Sequence, residues 1–493
     1  MTDALARRCE RAVHVMTPDG TLLSAGRASL YAMDAVGWHR FSAAFSRRPL
    51  IWLVEGTYRL VADHRQGVSR FLFRPAPGDA AAASPSAPPS APGSASEQVR
   101  LERLKVAVCM ALVGGIVLSP RLWVSSRSYP LMPVWGQVPA IPFPLDYAVV
   151  AALVALLLVA AVARAPGRSL VAALILAIGL GLQDQSRWQP WFHQYLFMLG
   201  ALVLRYAGGE PGAGPGPALN SCRVIVAGVY LWSGLHKMNR SFVNEVFPWF
   251  LQGLHPVPAG LLSYVPRLAL VVALLEAGTS LGLVTTRWRR PAIVLAVLTH
   301  TFILASLGPL GRNVNQVVWG WNLAMILFVI LLFRGRDVPT ARQILLPRNG
   351  RYHVIVLVLF ALLPAFSFVY LWDAYLSFAV YSASAKRARI SISDGVRDAL
   401  PADVRVYVSK DESGRNLLHF GSWSSNELKV PTVPQARIYR RLGAYLCRHA
   451  SAPTDVELVI EQRSMTALLR SLVRWRIEPD LRRTVHHDCR SMH

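Results

Sequence analysis

The sequence predicts a mainly α protein: a polytopic membrane helical bundle of about nine spans, with a small N-terminal α/β segment and a small C-terminal α+β domain. Of its 493 residues, 53% are hydrophobic and only 16% are charged, and the mean hydropathy is +0.34. Soluble domains carry about 25% charged residues. The missing charge is concentrated in long apolar runs, each near the ~20 residues that a helix needs to cross a bilayer. This composition excludes disordered, collagen-like and small disulfide-stapled proteins.

Composition also divides the chain into four parts. Residues 1–74 form an N-terminal segment in which AVHVMTPDGTLLSAG predicts a strand, an Asp-Gly turn and a strand, followed by helical patterns from Ala28 to about Arg70. Residues 75–98 are rich in Pro, Ala, Ser and Gly and predict a flexible linker. Residues 100–372 form the membrane domain, and residues 373–493 form an α+β domain with a basic tail.

Nine spans are predicted from the apolar runs, the third of which is short enough to be re-entrant. They cover residues 104–119, 145–163, 165–182, 190–206, 221–237, 267–285, 290–308, 315–333 and 352–371.

Arginines on alternate loops predict the orientation of these spans. They are Arg164 and Arg168, Arg205 and Arg223, then Arg287, Arg289 and Arg290, and finally Arg334, Arg336, Arg342, Arg348 and Arg351. The net charge of +24 is therefore interpreted as a topology signal, and no nucleic-acid partner is predicted. The first residues lack the apolar core of a cleavable signal peptide. We expect a multi-pass protein of the cell membrane, with its N-terminus cytoplasmic and its C-terminal domain extracytoplasmic.

The C-terminal domain is predicted to contain four strands, at RARISIS, VRVYVS, LLHFGSW and VELVIEQ. Between the last two, a helical stripe is formed by Ile438, Leu442, Tyr445 and Leu446. The five cysteines contain no CxxC pair and indicate neither a disulfide framework nor a zinc site. The cluster His486, His487, Cys489 and His493 could bind a metal, but a frayed tail is favoured, and no metal is predicted.

Ionisable residues inside the spans are the candidates for chemistry, because each is costly in a membrane and tends to face an internal cavity. Four stand out: His193, Lys237 with its neighbour His236, Glu276 and His300. In the predicted orientation all of them fall in the outer half of the bilayer. Glu276 and His300 lie roughly 12 to 14 Å deep at 1.5 Å per residue.

Lys237 is the candidate base. Only five of the 52 basic residues are lysine, and Lys237 is the one lysine between Lys105 and Lys386. Arginine stays protonated, whereas a desolvated lysine can lose its proton and act on a weakly acidic hydroxyl or C–H group. The alternative is a lysine that snorkels to the interface and only anchors the helix.

The other candidates also have structural interpretations. His193 and His300 are typical of packing residues that are hydrogen-bonded to a neighbouring helix. Glu276 is expected to be either paired, with an Arg or His of a neighbouring span, or held protonated. The segment QVVWGWN forms either an interfacial belt with interhelical hydrogen bonds or an aromatic wall for a flat ring ligand. Its relevant residues are Asn315, Trp319, Trp321 and Asn322.

Several ordered elements resemble the vitamin K-dependent gamma-carboxylase and its bacterial relatives, the horizontally transferred transmembrane (HTTM) domain family. GVYLWSGLHKMNRSFVNEVFPWFL, residues 228–251, is similar to the segment whose Ala/Ser-Gly-x-x-Lys-Leu/Met-Asp/Asn stretch carries the catalytic lysine, which matches Lys237. DQSRWQPWFHQYLFML, residues 184–199, resembles the stretch with a functional histidine, which matches His193 and places Tyr195 beside it. EAGTSLGLVTTRWRR, His300 and GRNVNQVVWGWN are similar to the following elements, and the resemblance covers about residues 100–380.

This resemblance implies a chemistry. In the carboxylase the lysine deprotonates reduced vitamin K, oxygen epoxidises it, and the resulting base forms a glutamate carbanion that captures carbon dioxide. The implied enzyme is carboxylase- or oxidoreductase-like, a lyase of the bacterial inner membrane, and its cofactor is a reduced quinone. Lys237 would be the base and His193 would assist. His236, Glu276, His300, Tyr195, Asn315, Trp319 and Asn322 would support them.

A second resemblance covers residues 12–74. TPDG, Gly26, Ala28, Tyr58, Ala62, Arg65 and Arg70 look like the C-terminal half of the thioredoxin-like DCC family of thiol oxidoreductases. That family's chemistry lies in an Asp-x-x-Cys-x-x-Cys element, which the chain as written lacks. Cys9 alone cannot complete an exchange cycle, so no disulfide reductase activity is expected.

Three classes of function follow. The first is a membrane enzyme that uses Lys237 as a base on a quinone-like or lipid substrate. The second is a redox-linked membrane module that serves a separate thiol-redox protein or a quinone. The third is a non-catalytic transporter or lipid-binding scaffold. Membrane lipids are partners in all three classes.

Overall fold

The computed structural model describes residues 13–17, 19–35, 39, 42–43, 46–47, 51, 54–55, 95–208, 214–254, 264–335, 338–346, 350–382, 385–463 and 482–492. Its contacts divide the chain into two units, residues 1–89 and 90–493, and the division falls within the predicted linker. Cys9, His493, linker residues 75–94 and five positions of the DCC resemblance lie outside the described residues. Those five are Pro18, Tyr58, Ala62, Arg65 and Arg70.

The described part of the first unit begins with the predicted hairpin. Strands β1, His14–Met16, and β2, Leu22–Ser24, pair antiparallel with His14 opposite Ser24. Gly20 closes the turn with a φ of 83°, a conformation that favours glycine, and its N–H donates to the carbonyl of Thr17 at 2.9 Å. Helix α1, Ala25–Ala35, follows directly. Of the helical pattern predicted beyond it, residues 36–70 lie largely outside the described part.

The described part of the second unit contains nine long helices. They are α2 (Ala95–Leu118), α3 (Leu145–Val162), α4 (Gly167–Gln183), α5 (Pro190–Ala207), α6 (Gly216–Lys237), α7 (Val265–Val284), α8 (Arg289–Leu307), α9 (Gln316–Phe333) and α10 (Arg351–Leu357), the last continuing as a π turn and a 3₁₀ helix to Val369. Shorter helices lie at Pro120–Trp123, Phe247–Leu251 and Ala341–Leu345.

Six of the described helices are long and apolar enough to cross a membrane: α3, α6, α7, α8, α9 and residues 351–369. Helix α4 is apolar but shorter, as its sequence predicts. The predicted spans at 104–119 and 190–206 lie on α2 and α5, which are long enough but are not among these six apolar helices. Helix α2 begins with a charged stretch, and α5 carries His and Gln near its start but is buried along most of its length. Six spans are thus supported, and nine stays a prediction.

Proline shapes the last helix. A proline removes one backbone N–H and clashes with the carbonyl four residues earlier, which for Pro364 is Phe360. The helix widens to a π turn at Val358–Leu362 and then tightens to the 3₁₀ segment Leu363–Val369. The freed Phe360 carbonyl accepts a hydrogen bond from the Trp232 indole at 2.9 Å, which ties α6 to the last helix.

Successive helices run in opposite directions, so the bundle has two distinct ends. At one end, which we call the domain end, α2, α4, α6 and α8 terminate and the C-terminal domain packs. At the other, the basic end, Lys105 donates to the Ala163 carbonyl at 2.9 Å and Arg223 donates to the Leu332 carbonyl at 2.9 Å. Lys237 and His300 lie on the domain-end half of their helices, and Glu276 lies near the middle of α7.

The C-terminal domain is built on a five-stranded antiparallel sheet in the order β4-β5-β3-β6-β7. The strands are β3 (Arg387–Ile392), β4 (Val408–Lys410), β5 (Asn416–Leu418), β6 (Val456–Arg463) and β7 (Arg482–His487). Helices α11 (Phe420–Glu427) and α12 (Ala436–Cys447) accompany it, with short helices at Asp394–Ala399 and Ala402–Arg405. The predicted stripe on α12 is confirmed: Ile438, Leu442 and Leu446 are buried, and Tyr445 is half-buried.

Three predictions for this domain are wrong. VRVYVS begins in the helix Ala402–Arg405 and only its end is strand, and LLHFGSW leaves the sheet after Leu418 to start α11. The tail is not frayed at residues 482–487, which pair with residues 458–463 of β6. That pairing brings Cys489 to the end of α12, where it forms a disulfide with Cys447. The two cysteines are 42 residues apart in the sequence, and their spacing did not indicate that they would pair.

Candidate functional site

A buried ion pair joins α6 to α7. The Lys237 ammonium donates to both carboxylate oxygens of Glu276, at 2.7 and 2.6 Å, and to the Ser233 hydroxyl at 2.9 Å. The two side chains are only 10% and 9% exposed. The carboxylate of Glu276 is therefore paired, but its partner is the candidate base rather than an Arg or His. The Lys237 ammonium is directed into the bundle and does not extend into solvent.

A glycine brings the two helices close enough for this pair. A Cβ on Gly234 would lie 2.3 Å from the backbone N of Ala277 and 2.8 Å from the carbonyl O of Ala273. Only a residue without a side chain allows this approach. Residues 230, 233, 234 and 237 are three, four and seven apart, and so share one face of α6. Gly234 therefore contacts α7 on the same face of α6 from which Ser233 and Lys237 point toward Glu276.

A chain of hydrogen bonds lies on the same face. The Asn322 amide N–H donates to the Val318 carbonyl at 2.7 Å, so its Oδ1 faces His300 Nδ1 at 2.6 Å. His300 Nδ1 must then carry the proton, and Nε2 accepts from the Tyr230 hydroxyl at 2.6 Å. Tyr230 lies seven residues before Lys237 and on the same face of α6. The Tyr230, His300 and Asn322 chain thus borders the ion pair.

His236 points to another side of α6, toward the last helix. Its Nε2 lies 2.9 Å from the Ser367 hydroxyl, and its ring stacks on Phe368 at a centroid distance of 4.2 Å. Its Nδ1 is buried and has no hydrogen-bond partner among the described residues. His236 is the sequence neighbour of Lys237, but the two side chains share no described polar contact.

His193 and Tyr195 lie in aromatic clusters. The His193 ring stacks on Phe360 and Phe378, with centroids 4.7 and 5.7 Å apart, and its buried Nδ1 has no partner among the described residues. Tyr195 packs against Trp191 and Phe328. These residues share no described polar contact with Lys237, so the structure does not join His193 to the ion pair.

The aromatic segment at the start of α9 forms interhelical hydrogen bonds. Trp319 donates to the carbonyls of Leu307 and Val314, both at 2.9 Å, and Trp321 donates to the Gln194 side chain at 2.8 Å. Asn315 donates to the Tyr381 hydroxyl at 2.9 Å. Of this segment only Asn322 belongs to the site around His300. The contacts of the others are those of residues that hold helices and loops together.

A second polar cluster, absent from the sequence predictions, lies at the domain end. Asp184 is fully buried between the guanidinium groups of Arg127 and Arg187 and ion-pairs with Arg127. Burial alone would raise the pKa of Asp184, but the charges of Arg127 and Arg187 and the Ser186 amide outweigh it and hold that pKa below its ordinary value of 3.8. Arg187 donates to the carbonyls of Leu122, Leu180 and Trp123. The cluster connects the loops at the domain end, and its contacts are those of residues that stabilise the fold.

Two residues of the candidate site also escaped the sequence analysis. Ser233 and Tyr230 precede Lys237 by four and seven residues, so helical periodicity alone would have placed them on its face. Among the described residues, no group of three His, Cys, Asp or Glu side chains is arranged to hold a metal ion. Cys489 is held in the disulfide, and His486 instead contacts Glu457 at 2.9 Å.

No protein-family model matches the chain, and no curated protein or solved structure matches it either. The resemblances to the carboxylase and DCC families therefore stay expectations from the motifs quoted above.

Proposed function

We propose that this protein is a multi-pass membrane enzyme that removes a proton from a weakly acidic hydroxyl of a membrane-soluble, quinol-like substrate. The observation that supports this most is the Lys237 and Glu276 pair, held in a nearly closed site beside the Tyr230, His300 and Asn322 chain. A buried charge pair costs several kcal/mol of desolvation and is weak evidence for stability as such. Its position inside a predicted span favours a functional role.

The geometry supports a two-step proton transfer. The Lys237 ammonium gives one proton to the Glu276 carboxylate across a 2.6 Å contact, which leaves a neutral amine and a neutral acid. The amine then takes the proton of the substrate hydroxyl and becomes an ammonium again, beside the new oxyanion. The pair has gained one proton and the substrate has lost one. The ammonium stabilises the oxyanion electrostatically in a site of low dielectric constant.

The proposed setting is the bacterial inner membrane, with the domain end outside. The Cys447 to Cys489 disulfide supports this orientation, because disulfides persist in oxidising extracytoplasmic compartments and are rare in the cytosol. The basic end would then face the cytoplasm, as the arginine distribution predicts.

The test compares Lys237→Arg with a matched variant, Lys105→Arg. Lys105 is also buried and also pairs with a glutamate, Glu102 at 2.9 Å, but at the basic end. Purified protein would be supplied with a reduced naphthoquinone and oxygen, and oxygen uptake measured. We expect Lys237→Arg to lose about 10²- to 10⁴-fold in turnover, the usual contribution of a general base, because arginine cannot release its proton. Lys105→Arg should retain turnover.

Folding is checked separately by thermal unfolding and size-exclusion chromatography of each variant. Equal turnover by wild type and Lys237→Arg would contradict the base assignment. Absence of naphthoquinol consumption by the wild type would overturn the enzyme proposal in favour of a lipid-binding scaffold or transporter.

A further inference from the structure

A cleft lies between the last helix and the C-terminal domain, away from the ion pair. It has a volume of about 390 Å³, and its charged lining consists of Asp373, Lys386, Arg437 and Arg440. A narrow recess continues from it to His236, past Tyr370, Trp372 and Lys386. The recess has room for a single hydroxyl-sized group.

The cleft carries unpaired positive charge. Asp373 forms a bidentate ion pair with Arg437, which neutralises both. Within the described part of the chain, Lys386 and Arg440 have no carboxylate partner, and the Lys386 ammonium lies over the Tyr370 ring, 5.4 Å from its centroid. Burial lowers the pKa of Lys386; Asp373 opposes this shift, and Arg437 and Arg440 add to it. Two cations therefore face the cleft without a counter-anion.

The recess offers one acceptor and one donor. The Ser367 hydroxyl donates to the Pro364 carbonyl at 2.7 Å, so it accepts from His236 Nε2–H. Neutral His236 then keeps a bare lone pair on Nδ1, which is buried and unpartnered among the described residues. The Trp372 indole N–H is likewise buried without a described partner. Both residues line the recess, which therefore brings together one residue with an unpartnered acceptor and one with an unpartnered donor.

The approach to the cleft is apolar and exposed. Leu362 is 55% exposed on the last helix, and Leu371, which lines the cleft, is 73% exposed. Phe366 lies between them and is also exposed. In a membrane this stripe faces lipid chains, and Tyr370 and Trp372 follow it in the sequence, as aromatic residues do at a membrane interface.

We propose that this cleft binds the head group of an anionic phospholipid that bears a free hydroxyl. The phosphodiester lies between Lys386 and Arg440, one head-group hydroxyl enters the recess to meet His236 and Trp372, and the acyl chains follow Leu371, Phe366 and Leu362. This proposal does not depend on the chemistry of Lys237.

The test measures lipid binding by purified protein using native mass spectrometry and lipid nanodiscs. The probes are phosphatidylglycerol, phosphatidylmethanol, phosphatidylcholine and soluble glycerol phosphate. Phosphatidylmethanol has the same charge as phosphatidylglycerol but no free hydroxyl. We expect phosphatidylglycerol to bind tightest, and phosphatidylmethanol to bind several-fold more weakly.

Two charge variants provide the matched comparison. Lys386→Gln with Arg440→Gln should weaken phosphatidylglycerol binding by about tenfold or more, since each basic residue near the surface contributes to attraction of an anionic lipid. Lys410→Gln, an exposed lysine at the far edge of the sheet, should leave it unchanged. Trp372→Phe should abolish the preference over phosphatidylmethanol without removing binding.

Three results would overturn the proposal. Equal binding by wild type and the Lys386 and Arg440 variant, with both proteins folded by thermal unfolding, would exclude the phosphate position. Equal binding of phosphatidylglycerol and phosphatidylmethanol to the wild type would exclude the hydroxyl contact. If soluble glycerol phosphate, at the same concentration as phosphatidylglycerol, displaces that lipid, the cleft recognises a soluble phosphate rather than a lipid.

Discussion

At the scale of single residues, buried lysine and buried arginine differ in how many groups they contact. Lys105 and Lys237 each pair with one glutamate, and Lys105 also donates to the Ala163 carbonyl. Arg187 lies 4.0 Å from the Asp184 carboxylate and also donates to three backbone carbonyls. This difference follows from their shapes, because a guanidinium spreads five donors over several acceptors and an ammonium is a compact point charge. A buried arginine such as Arg187 therefore joins several elements at once.

Asp184 provides a prediction about stability. Asp184→Asn would leave Arg127 and Arg187 buried without a counter-charge, and breaking a buried pair in this way costs about 3 to 5 kcal/mol. Thermal or denaturant unfolding of the purified protein measures the loss. The matched variant is Asp398→Asn, whose carboxylate is 61% exposed beside Arg397; it should cost at most about 1 kcal/mol.

The same carboxyl predicts a dependence on pH. Its pKa is lower in the folded protein than in the unfolded chain, so its stabilisation is complete above the ordinary value of 3.8 and is lost as pH falls through the folded pKa. Wild type should therefore lose stability between pH 5 and strongly acidic conditions more steeply than Asp184→Asn. Parallel pH profiles of the two proteins would contradict the assigned ionisation.

The sequence predicts the individual site residues better than their contacts. Lys237 and Glu276 are each conspicuous as charges inside apolar runs, but they are 39 residues apart on different helices, and the pairing depends on how α6 and α7 pack. The expected partner of Glu276, an Arg or a His, followed from composition alone. Asp184 was overlooked because a carboxylate beside a helix end is ordinary in sequence, whereas its complete burial is a property of the folded loops.

At the scale of helices and strands, the close contact of α6 and α7 depends on Gly234. In Gly234→Ala the new methyl group would overlap the backbone of α7, so the helices must separate. We expect this change to weaken the Lys237 and Glu276 contact and to destabilise the protein by about 1 to 3 kcal/mol, the usual cost of overpacking. Both the melting temperature and the naphthoquinol turnover should fall.

A nearby glycine gives the control. Gly278 lies on α7 one residue beyond Ala277, and a Cβ there meets nothing within 4 Å. Gly278→Ala should be neutral or stabilising by up to about 1 kcal/mol, since alanine favours the helix. If both substitutions have the same effect, the close approach at Gly234 does not position the pair.

Long apolar elements were predictable, and short amphipathic ones were not. Each of the nine apolar runs lies on a described helix, because an apolar run of about 20 residues is a strong sequence signal for a helix. VRVYVS and LLHFGSW alternate like strands, yet most of their residues lie outside the sheet. The short helix after Pro401 and the start of α11 at Phe420 override that local alternation.

At the scale of the whole molecule, the C-terminal domain is fixed to the bundle by Glu427. Its carboxylate accepts from the backbone N–H groups of Ser128 and Tyr129, at 2.7 and 2.9 Å. The ion pair of Arg437 with Asp373 ties α12 to the segment that follows the last helix. The domain therefore lies at the same end of the bundle as the Lys237 end of α6, and one measurement of its location also orients the candidate site.

That location is the final prediction. A reporter fused after Arg336 should be cytoplasmic, because the arginines between Arg334 and Arg351 hold that loop inside, and one fused after Asp394 should be exterior. The disulfide gives an independent check: when protein is denatured under a thiol-blocking reagent, reduction should expose two further thiols, those of Cys447 and Cys489. Replacing Cys447 with serine should remove that increase. Reporters on the same side, together with cysteines already reduced in cells, would place the C-terminal domain in the cytoplasm and with it the Lys237 end of the bundle.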